Sequence, residues 1–86
     1  MIFVYALCNT VNSEIYIGIT KDLSRRIKEH NSGKNRYTKA FMPWALLYVE
    51  ETENYLQARK REKYLKSAAG KRSLKKSVLT LDQKAS

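Results

Sequence analysis

Five side chains along this sequence could handle a phosphate: Tyr5, Tyr16, Arg26, His30 and Glu62. The two tyrosines sit in strand-like runs, Phe3-Val4-Tyr5 and Tyr16-Ile17-Gly18, and a helix-like stretch bringing Arg26 and His30 follows directly. A phenol, a guanidinium and an imidazole can converge in one compact unit, where a cation meets the anion and a weak base meets a proton. Glu62 comes much later. Between Arg59 and Lys76 it is the only acidic residue, set among Arg59, Lys60, Arg61, Lys63, Lys66, Lys71, Arg72, Lys75 and Lys76.

The elements that must position these groups can be read from periodicity. Ile2 to Cys8 and Glu14 to Thr20 are β-branched and aromatic runs separated by the polar cluster Asn9, Thr10, Asn12 and Ser13, which predicts a hairpin. Alternation puts Ile2, Val4, Ala6 and Cys8 on one face of the first strand and Ile15, Ile17 and Ile19 on one face of the second. If those aliphatic faces coincide, Phe3, Tyr5, Leu7, Tyr16 and Gly18 share the opposite face, so register alone makes the tyrosines neighbours.

Thr20 or Asp22 can cap a helix through Leu23, Arg26, Ile27 and His30, which stops at Asn31-Ser32-Gly33. Lys34 to Pro43 is a basic connection, Trp44 to Glu50 a third strand, and Asn54 caps a longer helix to about Ser67. After Gly70, a short helix with Leu74 and Val78 completes the fold at about residue 81, leaving 82–86 as a frayed tail. The expectation is a single α+β domain over residues 1–81, a small three-stranded antiparallel sheet flanked by helices in the order β-β-α-β-α-α.

Each chemical residue also has an ordinary structural reading. Arg26 stands at the edge of an apolar helix face, where an unpaired guanidinium is costly, so it needs either a carboxylate such as Glu50 or a phosphate. His30 is either a hydrogen-bonded structural histidine or a base. Glu62 shares the stripe Tyr55, Ala58, Glu62, Leu65, so it is either an internal ion pair or the holder of a divalent metal.

Composition narrows the partner. The chain has 86 residues, 17 Lys and Arg against 8 Asp and Glu, and a formal charge of +9, so a positive potential covers much of a small surface. Nucleic acid is the expected polyanion, because the basic helices need their apolar stripes for the core and have none left for a membrane. One cysteine, Cys8, excludes an internal disulfide, and with one histidine the usual zinc sets cannot be assembled. The run Ile2 to Cys8 lacks the form of a secretory signal and no stretch is long enough to span a bilayer, which predicts a cytoplasmic location by default.

The chain resembles the GIY-YIG nuclease family over nearly its whole length. Val4-Tyr5 stands where the first motif ends, Tyr16-Ile17-Gly18 matches the second, Leu23-x-x-Arg26-x-x-x-His30-Asn31 matches the following helix, and Ala58-x-x-x-Glu62-x-x-Leu65-Lys66 matches the metal-binding helix. The likeness is to the small stand-alone bacterial members, related to the nuclease domain of the excision repair incision subunit. Phe3 and Val4 replace the glycine and isoleucine of the first motif, and no asparagine follows Asn54 where many members carry one.

The resemblance implies a Mg²⁺- or Mn²⁺-dependent endonuclease acting on DNA, or on RNA. Glu62 would then hold the metal, Arg26 would stabilise the phosphate, Tyr5 would take the proton of the attacking water and Tyr16 would orient it. His30 would hold Tyr5 or the phosphate. Nearby positive charge would favour the Tyr5 phenolate, and Gly18 would leave space for the phosphate. Lys34, Arg36, Tyr37 and Lys39 in the connection, and Arg59, Lys63 and Lys66 on the second helix, would follow the backbone of the nucleic acid. No base-reading set is identifiable, so sequence-specific targeting would need a protein partner.

Overall fold

The computed structural model describes residues 1–9, 14–33 and 43–85, with side chains followed as far as residue 76. Strands β1 (Ile2–Asn9), β2 (Ile15–Thr20) and β3 (Trp44–Thr52) form an antiparallel sheet in the order β2-β1-β3. Helix α1 (Leu23–Asn31) follows β2, and α2 (Tyr55–Lys66) and α3 (Ala68–Ala85) follow β3. The expected order β-β-α-β-α-α is the order found.

The hairpin register sets everything that follows. Val4 pairs with Ile19, Ala6 with Ile17 and Cys8 with Ile15, so the aliphatic faces coincide. Tyr5 pairs with Gly18 and Leu7 with Tyr16, which leaves the two tyrosines diagonal to each other on the opposite face. The hairpin closes where the Asn9 amide donates to the Glu14 carbonyl at 2.8 Å.

Each face of the sheet has its own core. Ile2, Val4, Ala6 and Ile17 pack with Ala58 and Leu65 of α2 and Leu74 of α3. Tyr5, Leu7 and Trp44 pack with Tyr16 and with Leu23 and Ile27 of α1. A bulge in β3 lets Ala6 face Tyr48 while Leu7 faces Leu46, and it delivers both Leu47 and Tyr48 to the aliphatic cluster.

Caps place the helices. The Asp22 carboxylate accepts the Arg25 amide at 3.2 Å at the start of α1, and Gly33 at φ 82° follows its end. Asn54 Oδ1 accepts the Gln57 amide at 2.9 Å at the start of α2. Ser67 ends α2 and starts α3: its hydroxyl accepts the Gly70 amide at 3.2 Å. A Cβ on Gly70 would lie 2.6 Å from Leu65 Cα, so the fold-back of α3 onto α2 requires glycine there.

The last helix differs from expectation. It begins at Ala68, ahead of Gly70, and its backbone runs through residues 82–85, which the sequence pattern gives to a tail. Ser67 supplies the start signal, and Gly70, after which the sequence pattern starts the helix, instead lies inside it, where glycine permits close packing on α2.

Candidate active site

Tyr5, Arg26 and His30 form one hydrogen-bonded cluster between the sheet and α1. The Tyr5 hydroxyl lies 2.9 Å from His30 Nε2, and Arg26 Nε donates to the same hydroxyl at 3.4 Å. Tyr5 and His30 are both fully buried. With Arg26 as a donor, the network is satisfied when the phenol proton points to an unprotonated Nε2, and that assigns the His30 tautomer. The Tyr16 ring stands edge-on to His30 with centroids 4.7 Å apart, and at 6.3 Å from both Tyr5 and Trp44.

The helix is held in place by Asn31, which ends the matched helix motif and stands where the sequence predicts the helix stop. Asn31 uses its amide like a strand partner: Nδ2 donates to the Trp44 carbonyl at 3.0 Å, and Oδ1 accepts the Trp44 amide at 2.8 Å. This double bond between α1 and β3 fixes the depth and rotation that bring His30 under Tyr5. An asparagine just past a functional histidine was the available signal.

In the free protein, burial governs the ionisation of Tyr5. Burial pushes the Tyr5 phenol above its ordinary value, and the opposing hydrogen bond from Arg26 does not overcome it. Tyr5 is thus a neutral phenol near pH 7, not a phenolate drawn down by positive charge. Burial, followed by the Arg26 charge, pushes His30 below its ordinary value, so the imidazole is also neutral. Arg26 remains charged and pairs with Glu29 at 3.3 Å. Glu50 is not its partner: Glu50 accepts from Arg61 Nε at 2.7 Å and from the Tyr48 hydroxyl at 2.6 Å.

Gly18 also takes a different role. A Cβ built there would sit 2.5 Å from Tyr5 Cζ and closer still to the hydroxyl. The space kept open by glycine is occupied by the Tyr5 ring and is not available to a phosphate.

Glu62 lies on α2, which packs on the other face of the sheet, and it faces the outer edge of β2. A cleft of about 370 Å³ runs along that edge, lined by Ile15, Tyr16, Ile17, Glu62, Lys66 and Lys71. Tyr16, half-buried, borders both this cleft and the Tyr5–His30–Arg26 cluster. Glu62 is not the deeply buried acid its stripe suggested. Its side chain is 26% exposed and pairs with Lys66 Nζ at 3.5 Å.

Among the described residues no three His, Cys, Asp or Glu side chains gather to make a metal cage. A single part-exposed carboxylate facing an open cleft still suits Mg²⁺, which keeps most of its waters and completes its shell with substrate phosphate. Of the expected nucleic-acid contacts, Lys66 lines this cleft, whereas Arg59 and Lys63 are exposed on α2 outside it. Lys71 was missed, because its contribution depends on the sharp turn at Ser67. Lys34, Arg36, Tyr37 and Lys39 lie outside the described residues.

The GIY-YIG catalytic domain model matches residues 1–76. The chain belongs to the GIY-YIG family. This GIY-YIG domain is 37% identical over 71 residues to a UPF0213 protein of Bacillus velezensis, covering 81% of this chain and 70% of that protein. It is 37% identical over 75 residues to a UPF0213 protein of Staphylococcus epidermidis, covering 85% and 89%. The solution structure of a UPF0213 protein from Bacillus halodurans superposes with a TM-score of 0.52 at 33% identity, covering 86% of this chain and 82% of that one. The family is of nuclease type, which makes nucleic acid the substrate class of the fold. Among the described residues no helix is long and apolar enough to cross a membrane.

Proposed function

We propose that this protein is a metal-dependent endonuclease that hydrolyses DNA phosphodiester bonds with little sequence preference. The observation that carries this reading is the position of Tyr16, which borders both the Tyr5–His30–Arg26 cluster and the Glu62 cleft. Glu62 would hold Mg²⁺ or Mn²⁺, whose charge supports the scissile phosphate and the departing oxygen.

The protein's own groups divide the remaining work. Arg26, part-exposed beside the cluster, offers its outer guanidinium nitrogens to phosphate oxygens that gain charge as water arrives. Tyr5 has its hydroxyl committed to His30 and Arg26 and is sealed from solvent, so it positions the guanidinium. Tyr16, half-buried at the border of the Glu62 cleft, is the phenol placed to orient the attacking water. Lys66 and Lys71 flank the cleft as phosphate contacts without base preference.

A second reading, a nucleic-acid-binding module of the same fold without turnover, draws on the Glu62–Lys66 pair, which occupies the carboxylate. One assay separates the two. The purified protein is incubated with single-stranded, duplex and branched DNA, and with RNA, in Mg²⁺, Mn²⁺ or EDTA. Cleavage should require metal, and Glu62→Ala should lower it by about a hundredfold or more while salt-sensitive DNA binding persists. Binding without cleavage across the whole panel would refute the enzyme.

A further inference from the structure

A second cleft of about 350 Å³ continues along the edge of β2 beyond the first, and Lys21, Arg25, Arg26 and Tyr55 are among its lining residues. Tyr55, the first residue of α2, meets the end of β2 here, while Glu62 and Lys66 meet its beginning. The helix thus runs antiparallel to the strand, with a groove between them. Tyr55 and Glu62 are seven residues apart, about 10 Å along a helix. That distance spans roughly three stacked nucleotides of one strand at 3.4 Å each.

The cleft has the chemistry of a nucleotide pocket. Tyr55 is 45% exposed, so its ring is accessible from the cleft, and Lys21 Nζ stands 5.7 Å over its centre. Two carboxylates also line the cleft, and both are engaged. Asp22 caps α1 through the Arg25 amide, and Glu29 takes one nitrogen from Arg25 and one from Arg26, each at 3.3 Å. Each guanidinium has five donors and gives one to Glu29, so both keep donors for a phosphate. Helices α1 and α2 both begin at this cleft, and their dipoles add to its positive potential.

We propose that Lys21, Arg25, Arg26 and Tyr55 form a nucleotide subsite in which an unpaired nucleobase stacks on the Tyr55 ring about three nucleotides from the phosphate at Glu62. The base replaces the Lys21 ammonium on the ring face, and the ammonium moves to the adjoining phosphate. Arg26 then links this pocket to the buried cluster, since it lines the cleft and donates to the Tyr5 hydroxyl. The subsite supplies affinity through a π-face that every base has, so it adds nucleotide binding without sequence preference.

The subsite deepens the nuclease reading, but its test needs no turnover. Binding is measured in EDTA by fluorescence anisotropy with two probes of equal length: a labelled oligodeoxythymidylate and a labelled, wholly abasic deoxyribose-phosphate strand. Tyr55→Ala should weaken the oligodeoxythymidylate about tenfold, the lower part of the range for a base stacked on an aromatic ring, and leave the abasic strand unchanged. Tyr55→Leu, which keeps the helix and the apolar bulk, should behave as Tyr55→Ala, and Tyr55→Phe as wild type. An oligonucleotide carrying 2-aminopurine should lose fluorescence on binding the wild type and keep it on Tyr55→Leu. Equal weakening of both probes, or no weakening of either, overturns the subsite. A protein that cleaves nothing but passes this test keeps the subsite and loses the nuclease; one that cleaves but fails it does the reverse.

Discussion

Gly18→Ala should cost this domain much of its stability, and the cost should be traceable to one ring. The new methyl would meet Tyr5 Cζ at 2.5 Å and Cε1 at 2.9 Å, so the ring must retreat by roughly 1 Å to reach ordinary carbon contact distances. Tyr5 is fully buried and its hydroxyl is fixed 2.9 Å from His30 and 3.4 Å from Arg26. Such a retreat takes at least one of these contacts beyond hydrogen-bonding range. Overpacking costs about 1–3 kcal/mol and a broken buried hydrogen bond about another 1 kcal/mol, giving roughly 2–4 kcal/mol in total. Against a total stability of about 5–15 kcal/mol, that predicts a fall in Tm of roughly 10–30 °C. Urea and thermal unfolding followed by circular dichroism measure it directly. Tyr5→Ala in the Gly18→Ala background should cost much less than Tyr5→Ala in the wild type, because the clash disappears with the ring. An unchanged urea midpoint combined with lost DNA affinity would refute the reasoning and return Gly18 to the phosphate.

Two further outcomes follow from the buried cluster. Tyr16→Phe should lower the cleavage rate by about ten- to a hundredfold while leaving DNA binding and unfolding near wild type, and unaltered cleavage would move the water-orienting role elsewhere. Stability should fall as pH drops below 6.5, because His30 binds its proton more weakly in the folded state than in the unfolded one. The unfolded chain takes up that extra proton first, so the loss develops between 6.5 and the lowered folded value and then levels off. His30→Gln should flatten the urea midpoint across that window, and a retained slope would assign it to another group.

The sequence made most of the architecture legible because its signals were local. Alternating aliphatic positions in two short runs fixed a hairpin register that left little choice about which face carried Tyr5 and Tyr16, and Asn54 and Gly33 marked helix ends through their side-chain and backbone chemistry. What escaped was set by depth and by packing between distant elements. Whether Tyr5 or Tyr16 meets solvent depends on how far α1 descends onto the sheet, which Asn31 decides through the backbone of Trp44. Whether Glu50 pairs with Arg26 or Arg61 depends on its face of β3, and the bulge at Leu47 disrupts the simple alternation that would reveal it. Lys71 enters the cleft only because Gly70 lets α3 fold tightly onto α2.

The two halves of the site differ in how firmly they are held, and the difference suits a metal-dependent reaction. Tyr5, His30 and Arg26 are interlocked beneath Gly18, where any displacement breaks buried hydrogen bonds, so this half is preorganised. Glu62 is anchored differently. Its helix is pinned by buried Ala58 and Leu65 and by the short Arg61–Glu50 bond one residue away, but among the described residues the carboxylate itself pairs with exposed Lys66 at 3.5 Å. A pair of that exposure contributes about 0–1 kcal/mol, so an arriving divalent cation can displace the ammonium at little cost. Lys66 lines the cleft, and on the nuclease reading a phosphate there would replace the carboxylate it gives up. The pairing in the free protein holds the carboxylate and the cation side by side, the arrangement that the proposed reaction would split between a metal ion and its phosphate.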